Sequence, residues 1–169
     1  MALATRDYRA ALGWQAALAV YMQLFSWFPL GRWNYQPCCA SGFEQLRLGT
    51  LSASDAATLG AFLLPLAAFW LGVRFGWRWA MALSIVAIGV WLGLQIWTWW
   101  PPYVFGASDH WSRVYARAFA ESTQILPRWG THLPPDGAHF VLQVLLSGSV
   151  ATGVAALARQ RRAKRPGEQ

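Results

Sequence analysis

Charged residues are scarce in this chain. Asp, Glu, Lys and Arg make up 12% of its 169 residues, whereas 56% are hydrophobic, and soluble domains carry about 25% charge. Cysteine is almost absent: Cys38 and Cys39 are neighbours, so they cannot join distant loops as in a disulfide-dense secreted scaffold. The chain also lacks a Walker loop, a Rossmann glycine pattern and a nucleophile-plus-base motif. These absences argue against a soluble globular domain and against the common nucleotide-binding enzymes.

Four apolar runs approach the length of roughly 20 residues that a helix needs to cross a bilayer core about 30 Å thick. We predict spans at about 10–28, 56–73, 79–100 and 137–158. Pro65 should kink the second span, and Pro101 with Pro102 should end the third. The sequence therefore predicts an all-α integral membrane protein, a four-transmembrane-helix bundle. Residues 1–158 would form one embedded domain and residues 159–169 a basic cytoplasmic tail.

The net charge of +7 comes almost entirely from arginine, which supplies 13 of the 14 basic residues. With both termini in the cytoplasm, the cytoplasmic segments carry the whole excess and the outer segments carry none. This asymmetry predicts a multi-pass protein of the bacterial inner membrane. It accounts for the basic composition without nucleic acid, and membrane lipids are the expected partner of the tail.

The segment between the third and fourth spans has its own periodicity. Between Ser108 and Leu126, apolar residues recur every three or four positions, which predicts an extracytoplasmic amphipathic helix. Ser108 or Asp109 should cap its start, and Pro127 should mark its end. This helix either only covers the bundle, with no chemical role, or contributes residues to a functional site.

Tryptophan is abundant, with 12 residues, and eight of them fall near the ends of the predicted spans. There an indole buries its ring and keeps its N–H in water, which is typical of an aromatic belt. The eight are Trp14, Trp27, Trp33, Trp77, Trp79, Trp97, Trp99 and Trp100. Gly89 and Gly93, four residues apart in the third span, predict a helix-packing face.

Polar side chains form stripes inside the predicted spans. Asp136, His139 and Gln143 share one face of the fourth span, and Ser84, Trp91, Gln95 and Thr98 share one face of the third. We predict that they line a polar, tryptophan-lined chamber that opens outward, whose ligand-binding residues are Gln23, Gln95, Thr98, Asp136, His139 and Gln143. The alternative is that these groups only form hydrogen bonds between helices.

Three functions follow from this pattern. The first is a non-enzymatic binder of a lipid or small apolar molecule with a polar head, or an accessory subunit of a larger membrane complex. The second is a membrane-surface enzyme in which His139 acts as a general base oriented by Asp136. The third is metal or thiol handling through Cys38, Cys39, His110 and His132. The sequence indicates no particular cofactor.

The run Trp100 to Gly106 (WPPYVFG), followed by Trp111 and Tyr115, resembles the Trp-x-Pro-Pro-x-x-Val-Phe-Gly loop of the tryptophan-rich sensory protein (TspO) family. That family has five spans and carries the loop after its first, whereas the loop here follows the third of four. Its porphyrin and cholesterol binding is therefore not carried over. The C-terminal third, from Leu94 to Gln143, is similar to small bacterial inner-membrane proteins of unassigned activity, which implies a shared fold and no mechanism.

Overall fold

All regular secondary structure is helical in the residues that the structure, a computed structural model, describes, namely 2–33, 42–119 and 121–163. Two isolated β-bridges accompany the helices. The helices are α1 (Ala2–Trp27), α2 (Gly42–Leu48), α3 (Ala53–Gly60), α4 (Leu63–Phe75), α5 (Arg78–Phe105), α6 (Asp109–Ala118) and α7 (Gly137–Ala163), with a short 3₁₀ turn at Gly31–Trp33. The prediction of an all-α chain is confirmed for these residues.

Two of these helices, α5 and α7, are long and apolar enough to cross a membrane. Both extend beyond the predicted spans. α7 begins at Gly137 as expected and continues into the basic segment to Ala163. α5 does not end at Pro101 and Pro102 but continues to Phe105, because the φ of about −65° that the proline ring imposes is helical. The two prolines remove the amide hydrogens that would bond the carbonyls of Trp97 and Thr98, and their rings crowd the same carbonyls.

The second predicted span is broken rather than kinked. α3 ends at Gly60 and α4 begins at Leu63, so Pro65 lies in the first turn of a new helix. The backbone N–H groups of the first turn have no carbonyl partner within the helix, so a proline there costs no helical hydrogen bond. In a continuous helix, the Pro65 ring would clash with the carbonyl of Ala61, four residues earlier, and the interruption at residues 61–62 avoids that clash.

The described contacts group the chain into two compact units. Unit 1 comprises Met1–Val20, Ala61–Leu92 and Val144–Gln169. Its core is apolar, with Phe69 and Met81 fully buried, and a Cβ on Gly72 or Gly153 would clash there with its neighbours. A Cβ on Gly89 or Gly93 would meet nothing within 4 Å. Within the described residues, these two glycines therefore form no close helix contact, and packing against another chain stays a prediction.

Unit 1 also contains a buried polar pair. The Ser84 hydroxyl donates to Gln15 Oε1 at 3.3 Å, and the two residues are 1% and 2% exposed. Ser84 belongs to the polar stripe found in the sequence, and its partner Gln15 was not part of any predicted stripe. In this unit, the polar residue forms a hydrogen bond between helices α5 and α1.

Unit 2 comprises Tyr21–Gly60 and Gly93–Gln143, and its core is aromatic. Trp99, Tyr115 and Leu133 are buried together, with Trp111 and Phe119 packed against them. α6 is amphipathic as predicted, because Trp111 and Tyr115 lie on its inner face while Arg113 and Arg117 are exposed. Ser108 caps its first turn by accepting from the backbone N–H of Trp111.

α6 ends at Ala118, eight residues before the predicted end at Leu126. The hydroxyl and the backbone N–H of Ser122 both donate to the carbonyl of Phe119. This local turn replaces the helical bonding pattern. Gln124 then forms a bridge with Asp136, which brings the chain to the start of α7.

Candidate functional site

The N-terminus of α7 carries a buried carboxylate. Asp136 precedes the first helical residue and is 3% exposed, and its Oδ1 accepts from the backbone N–H of His139 at 2.8 Å. This is N-capping geometry, in which a side-chain oxygen satisfies an amide that the helix leaves unpaired. Asp136 is therefore held at the helix end by backbone chemistry.

The same oxygen also orients the His139 imidazole. His139 Nδ1 lies 2.7 Å from Asp136 Oδ1, and the histidine side chain is 14% exposed. A carboxylate can only accept, so Nδ1 must carry the proton. In the neutral ring, Nε2 then has the free lone pair, and the hydrogen bond found for the His139 ring in the described part of the chain is the one at Nδ1. Asp136 thus prepares Nε2 to accept a proton or a hydrogen bond.

Aromatic rings surround the imidazole. The His139 ring centroid lies 4.6 Å from that of Trp99, 5.6 Å from that of Phe119 and 5.8 Å from that of Phe25. The rings of Phe119 and Phe25 meet the imidazole edge-on, whereas Trp99 is tilted against it. We call His139, Asp136 and these three rings the imidazole cluster. It has apolar walls and one polar atom available for a ligand.

Gln143 lies one helical turn after His139, on the same face of α7. It is 6% exposed, and its Oε1 accepts from the indole N–H of Trp100 at 2.8 Å. An indole can only donate, so this bond settles which amide atom is oxygen. The Nε2 of Gln143 is buried and has no hydrogen-bond partner in the described part of the chain.

Gln95 is arranged in a corresponding way on α5. It precedes Trp99 by one turn and shares its face, and its Oε1 is buried without a partner among the described residues. The Trp99–His139 and Trp100–Gln143 contacts place this stretch of α5 against the first turns of α7. Two amides with unused hydrogen-bonding capacity therefore belong to the facing stretches of these two helices.

The first turn of α7 is held by its neighbours. The Gly137 N–H donates to the carbonyl of Thr123 at 2.6 Å, and a Cβ at Gly137 would lie 3.1 Å from that oxygen and 3.2 Å from the Trp33 ring. The Tyr21 hydroxyl donates to the carbonyl of Ala138 at 2.7 Å. These contacts fix the helix end that carries Asp136 and His139.

Tyr115 of α6 lies close to this carboxylate. Its ring contacts Trp99 and Phe119, and burial, with a smaller contribution from the negative charge of Asp136, raises its pKa to about 12. Its hydroxyl forms no hydrogen bond of good geometry within the described residues, although Gln124 is close enough to lower the pKa slightly. Tyr115 therefore stays a neutral donor at physiological pH.

This pKa shift predicts a loss of stability in alkali. Unfolded Tyr115 ionises near pH 10 and folded Tyr115 near pH 12, so its contribution is complete below pH 10 and is lost as the pH rises towards 12. The thermal unfolding midpoint of the detergent-purified protein should fall more steeply between pH 10 and 11.5 than that of Tyr115→Phe. Parallel curves for the two proteins would contradict the shift.

Of the six predicted ligand-binding residues, three are placed together: Asp136, His139 and Gln143 occupy the first turns of α7. Gln95 lies on the facing stretch of α5, as described above. Thr98 is exposed, because one residue corresponds to about 100° of rotation around a helix and Trp99 takes the inward position. Gln23 Oε1 accepts from the indole N–H of Trp27 in its own helix at 2.9 Å. A ligand role for Thr98 and Gln23 stays a prediction.

The two histidines of the metal or thiol hypothesis lie in different environments. His132 Nδ1 donates to the carbonyl of Tyr103 at 2.9 Å, and His110 is exposed on α6. Cys38 and Cys39 lie outside the described residues. Among the residues that are described, no three His, Cys, Asp or Glu side chains come together in a group that could hold a metal ion.

The sequence predicted a tryptophan lining without naming its residues, and the walls found here are Trp99, Phe25 and Phe119. Trp99 is 2% exposed, so its assignment to an aromatic belt is wrong. The sequence held one signal for this burial: Trp99 follows Gln95 by four residues, and this spacing places both residues on one face of a helix. Phe25 and Phe119 reach the imidazole cluster from other elements, and no local pattern indicates such a contact.

No protein-family model, curated protein or solved structure matches this chain. Function must therefore be argued from the geometry of the site.

Proposed function

We propose that this chain is an integral membrane protein that binds a small molecule at the imidazole cluster. Catalysis is not part of this proposal. The observation that carries it is the Asp136–His139 pair: a buried carboxylate fixes the imidazole, and aromatic rings enclose it while Nε2 stays available. Pockets that hold small molecules combine mostly apolar walls with a few fixed polar groups in this way.

The membrane location is supported by the surface of α5. Only 28% of its most apolar stretch is buried, and its exposed side chains include Trp79 at 66%, Val86 at 61% and Trp97 at 78%. In water, such a continuous apolar surface would promote association. In hydrocarbon it is the expected surface of a spanning helix.

We assign four spans to α1, the α3–α4 pair, α5 and α7. α4 alone has 13 residues and would extend about 20 Å, so α3 must complete that crossing. The basic residues at the start of α5 and the end of α7, Arg78 and Arg159, lie on the same side if each helix crosses once. By the positive-inside rule, this side is the cytoplasm, which leaves α6 and the first turn of α7 outside, in bacteria at the outer face of the inner membrane.

The ligand function can be tested by native mass spectrometry of the protein released from mild detergent. We expect the wild-type protein to carry a non-covalent adduct, and the adduct should fall at least tenfold in His139→Gln and in Gln143→Leu. Gln160→Leu is the matched control, because it makes the same change almost five turns further along α7 and should keep the adduct.

Two outcomes would contradict the ligand function. One is an identical adduct pattern in all four proteins, and the other is no adduct on the wild type. Thermal unfolding midpoints measured on the same samples show whether each variant is folded. Alkaline carbonate extraction and a reporter fused to the C-terminus test membrane insertion and the cytoplasmic location of the tail separately.

A membrane-surface enzyme is the second candidate, favoured by one specific observation. Asp136 holds His139 in the tautomer that a general base requires, with Nδ1 protonated and Nε2 free. A substrate proton delivered to Nε2 would form an imidazolium stabilised by the carboxylate. A bell-shaped or sigmoidal pH dependence that is lost in His139→Gln would identify this activity once a substrate is known.

A further inference from the structure

We propose that the molecule bound at the imidazole cluster is the head group of a quinone, a neutral flat ring whose carbonyl oxygens accept hydrogen bonds. This inference rests on the proposed ligand-binding function and names its chemical class. It follows from three properties of unit 2: the hydrogen-bonding polarity of its unpaired groups, the charge around them and the shape of the surrounding rings.

Among the described residues of unit 2, three unpaired groups are donors, whereas Gln95 Oε1 and the His139 Nε2 lone pair are acceptors. Gln143 Nε2 is a donor because its Oε1 is already bonded to Trp100. The buried indole Nε1 of Trp111 can only donate, and no acceptor for it lies among the described residues. The Tyr115 hydroxyl is a third donor without a well-aligned acceptor. Leaving such donors unpaired in the interior is unfavourable, so they favour a ligand that offers acceptors.

The charge of the site favours a neutral ligand. Asp136 is 3% exposed, so an anionic ligand would have to lie near a buried negative charge. The Arg128 side chain is exposed, and its guanidinium carbon lies over the ring of Tyr115, 5.8 Å from its centroid. A carbonyl oxygen satisfies the donors without this repulsion, whereas a fatty-acid carboxylate or a phosphate does not.

The shape of the site favours a flat ring. Trp99, Phe119 and Phe25 present aromatic surface around His139, and aromatic rings pair well with one another in stacked or edge-on geometry. His139 and Gln143 are four residues apart on α7, so their Cβ atoms lie about 5–6 Å from each other. One small ring can therefore reach both side chains. The imidazole then donates to a quinone oxygen when protonated, or accepts from a quinol hydroxyl when neutral.

The test is a calorimetric titration of the full-length protein in phosphatidylcholine nanodiscs with decylubiquinone. We expect saturable binding of one molecule per chain. Affinity should fall at least tenfold in Gln143→Leu and severalfold in Trp111→Phe, which keeps an aromatic ring and removes the N–H donor together with the rest of the pyrrole ring. Gln160→Leu should bind like the wild type. Dioctanoylglycerol supplies ester carbonyls without a flat ring, and decanoate supplies an anion, so both should bind at least tenfold more weakly.

Binding that is equal in the wild type and in folded Gln143→Leu would overturn the proposal, since it would reflect partition into lipid. Tighter binding of dioctanoylglycerol or decanoate than of decylubiquinone would also overturn it. If native mass spectrometry shows an adduct that depends on Gln143 and decylubiquinone does not displace it, the quinone assignment fails while the ligand-binding function stands.

Discussion

Trp99→Ala should destabilise unit 2 more than any other single truncation in it. Trp99 is 2% exposed, and its ring contacts four others, those of Trp111, Tyr115, Phe119 and His139. Truncating a buried aromatic side chain of this size costs about 3–5 kcal/mol. The free energy of unfolding in mixed detergent micelles measures this loss.

Trp97→Ala is the matched control on the same helix. Trp97 is 78% exposed, so its removal should change the free energy of unfolding by less than about 0.5 kcal/mol. Trp99→Phe should fall between the two because it keeps an aromatic ring in the cluster. Equal losses for Trp99→Ala and Trp97→Ala would show that the aromatic cluster does not stabilise the fold.

Asp136→Ala should have the second largest effect, because it removes two hydrogen bonds at once. The α7 backbone loses its cap, which costs about 1 kcal/mol, and the His139 Nδ1–H loses its acceptor, which costs a further 1–3 kcal/mol, roughly. Asp136→Asn keeps an oxygen that can accept from the backbone N–H, so it should retain most of the capping contribution while removing the charge. Chemical unfolding of the three proteins separates these contributions.

The expected result is that Asp136→Asn is more stable than Asp136→Ala. If both unfold at the same denaturant concentration as the wild type, the bonds from Asp136 to His139 do not stabilise α7. If both lose the same large amount of stability, the negative charge matters more than the cap, and Asp136 has a further charged partner.

The start of α7 could be predicted from sequence, because its signals are local. An acid placed before an apolar run favours a helix cap, and offsets of three and seven place His139 and Gln143 on the same face as Asp136. The buried face of α5 was harder to place. Thr98 and Trp99 differ by one residue, which is about 100° of rotation, and the hydrophobicity of the surrounding residues does not distinguish the inward position.

Other features depend on contacts distant in sequence. Phe25 joins the imidazole cluster from α1 and Phe119 from the end of α6, and no helical periodicity relates these positions to His139. The break before α4 follows from the clash between the Pro65 ring and a carbonyl four residues earlier. A kink is the other way to relieve that clash, and the local sequence is compatible with both.

The protonation of His139 tests the proposed site most directly. Nitrogen-15 NMR of the protein labelled at histidine resolves the two ring nitrogens of three residues, each assigned by a single substitution. Exposed His110 provides the reference for an imidazole in solvent, and His132 provides the reference for Nδ1–H, since it donates to a carbonyl. We predict that the neutral His139 ring carries its proton on Nδ1, and that Nε2 shifts when decylubiquinol, whose hydroxyl can donate to it, binds. A His139 ring protonated at Nε2, with no response to ligand, would contradict a site organised by Asp136.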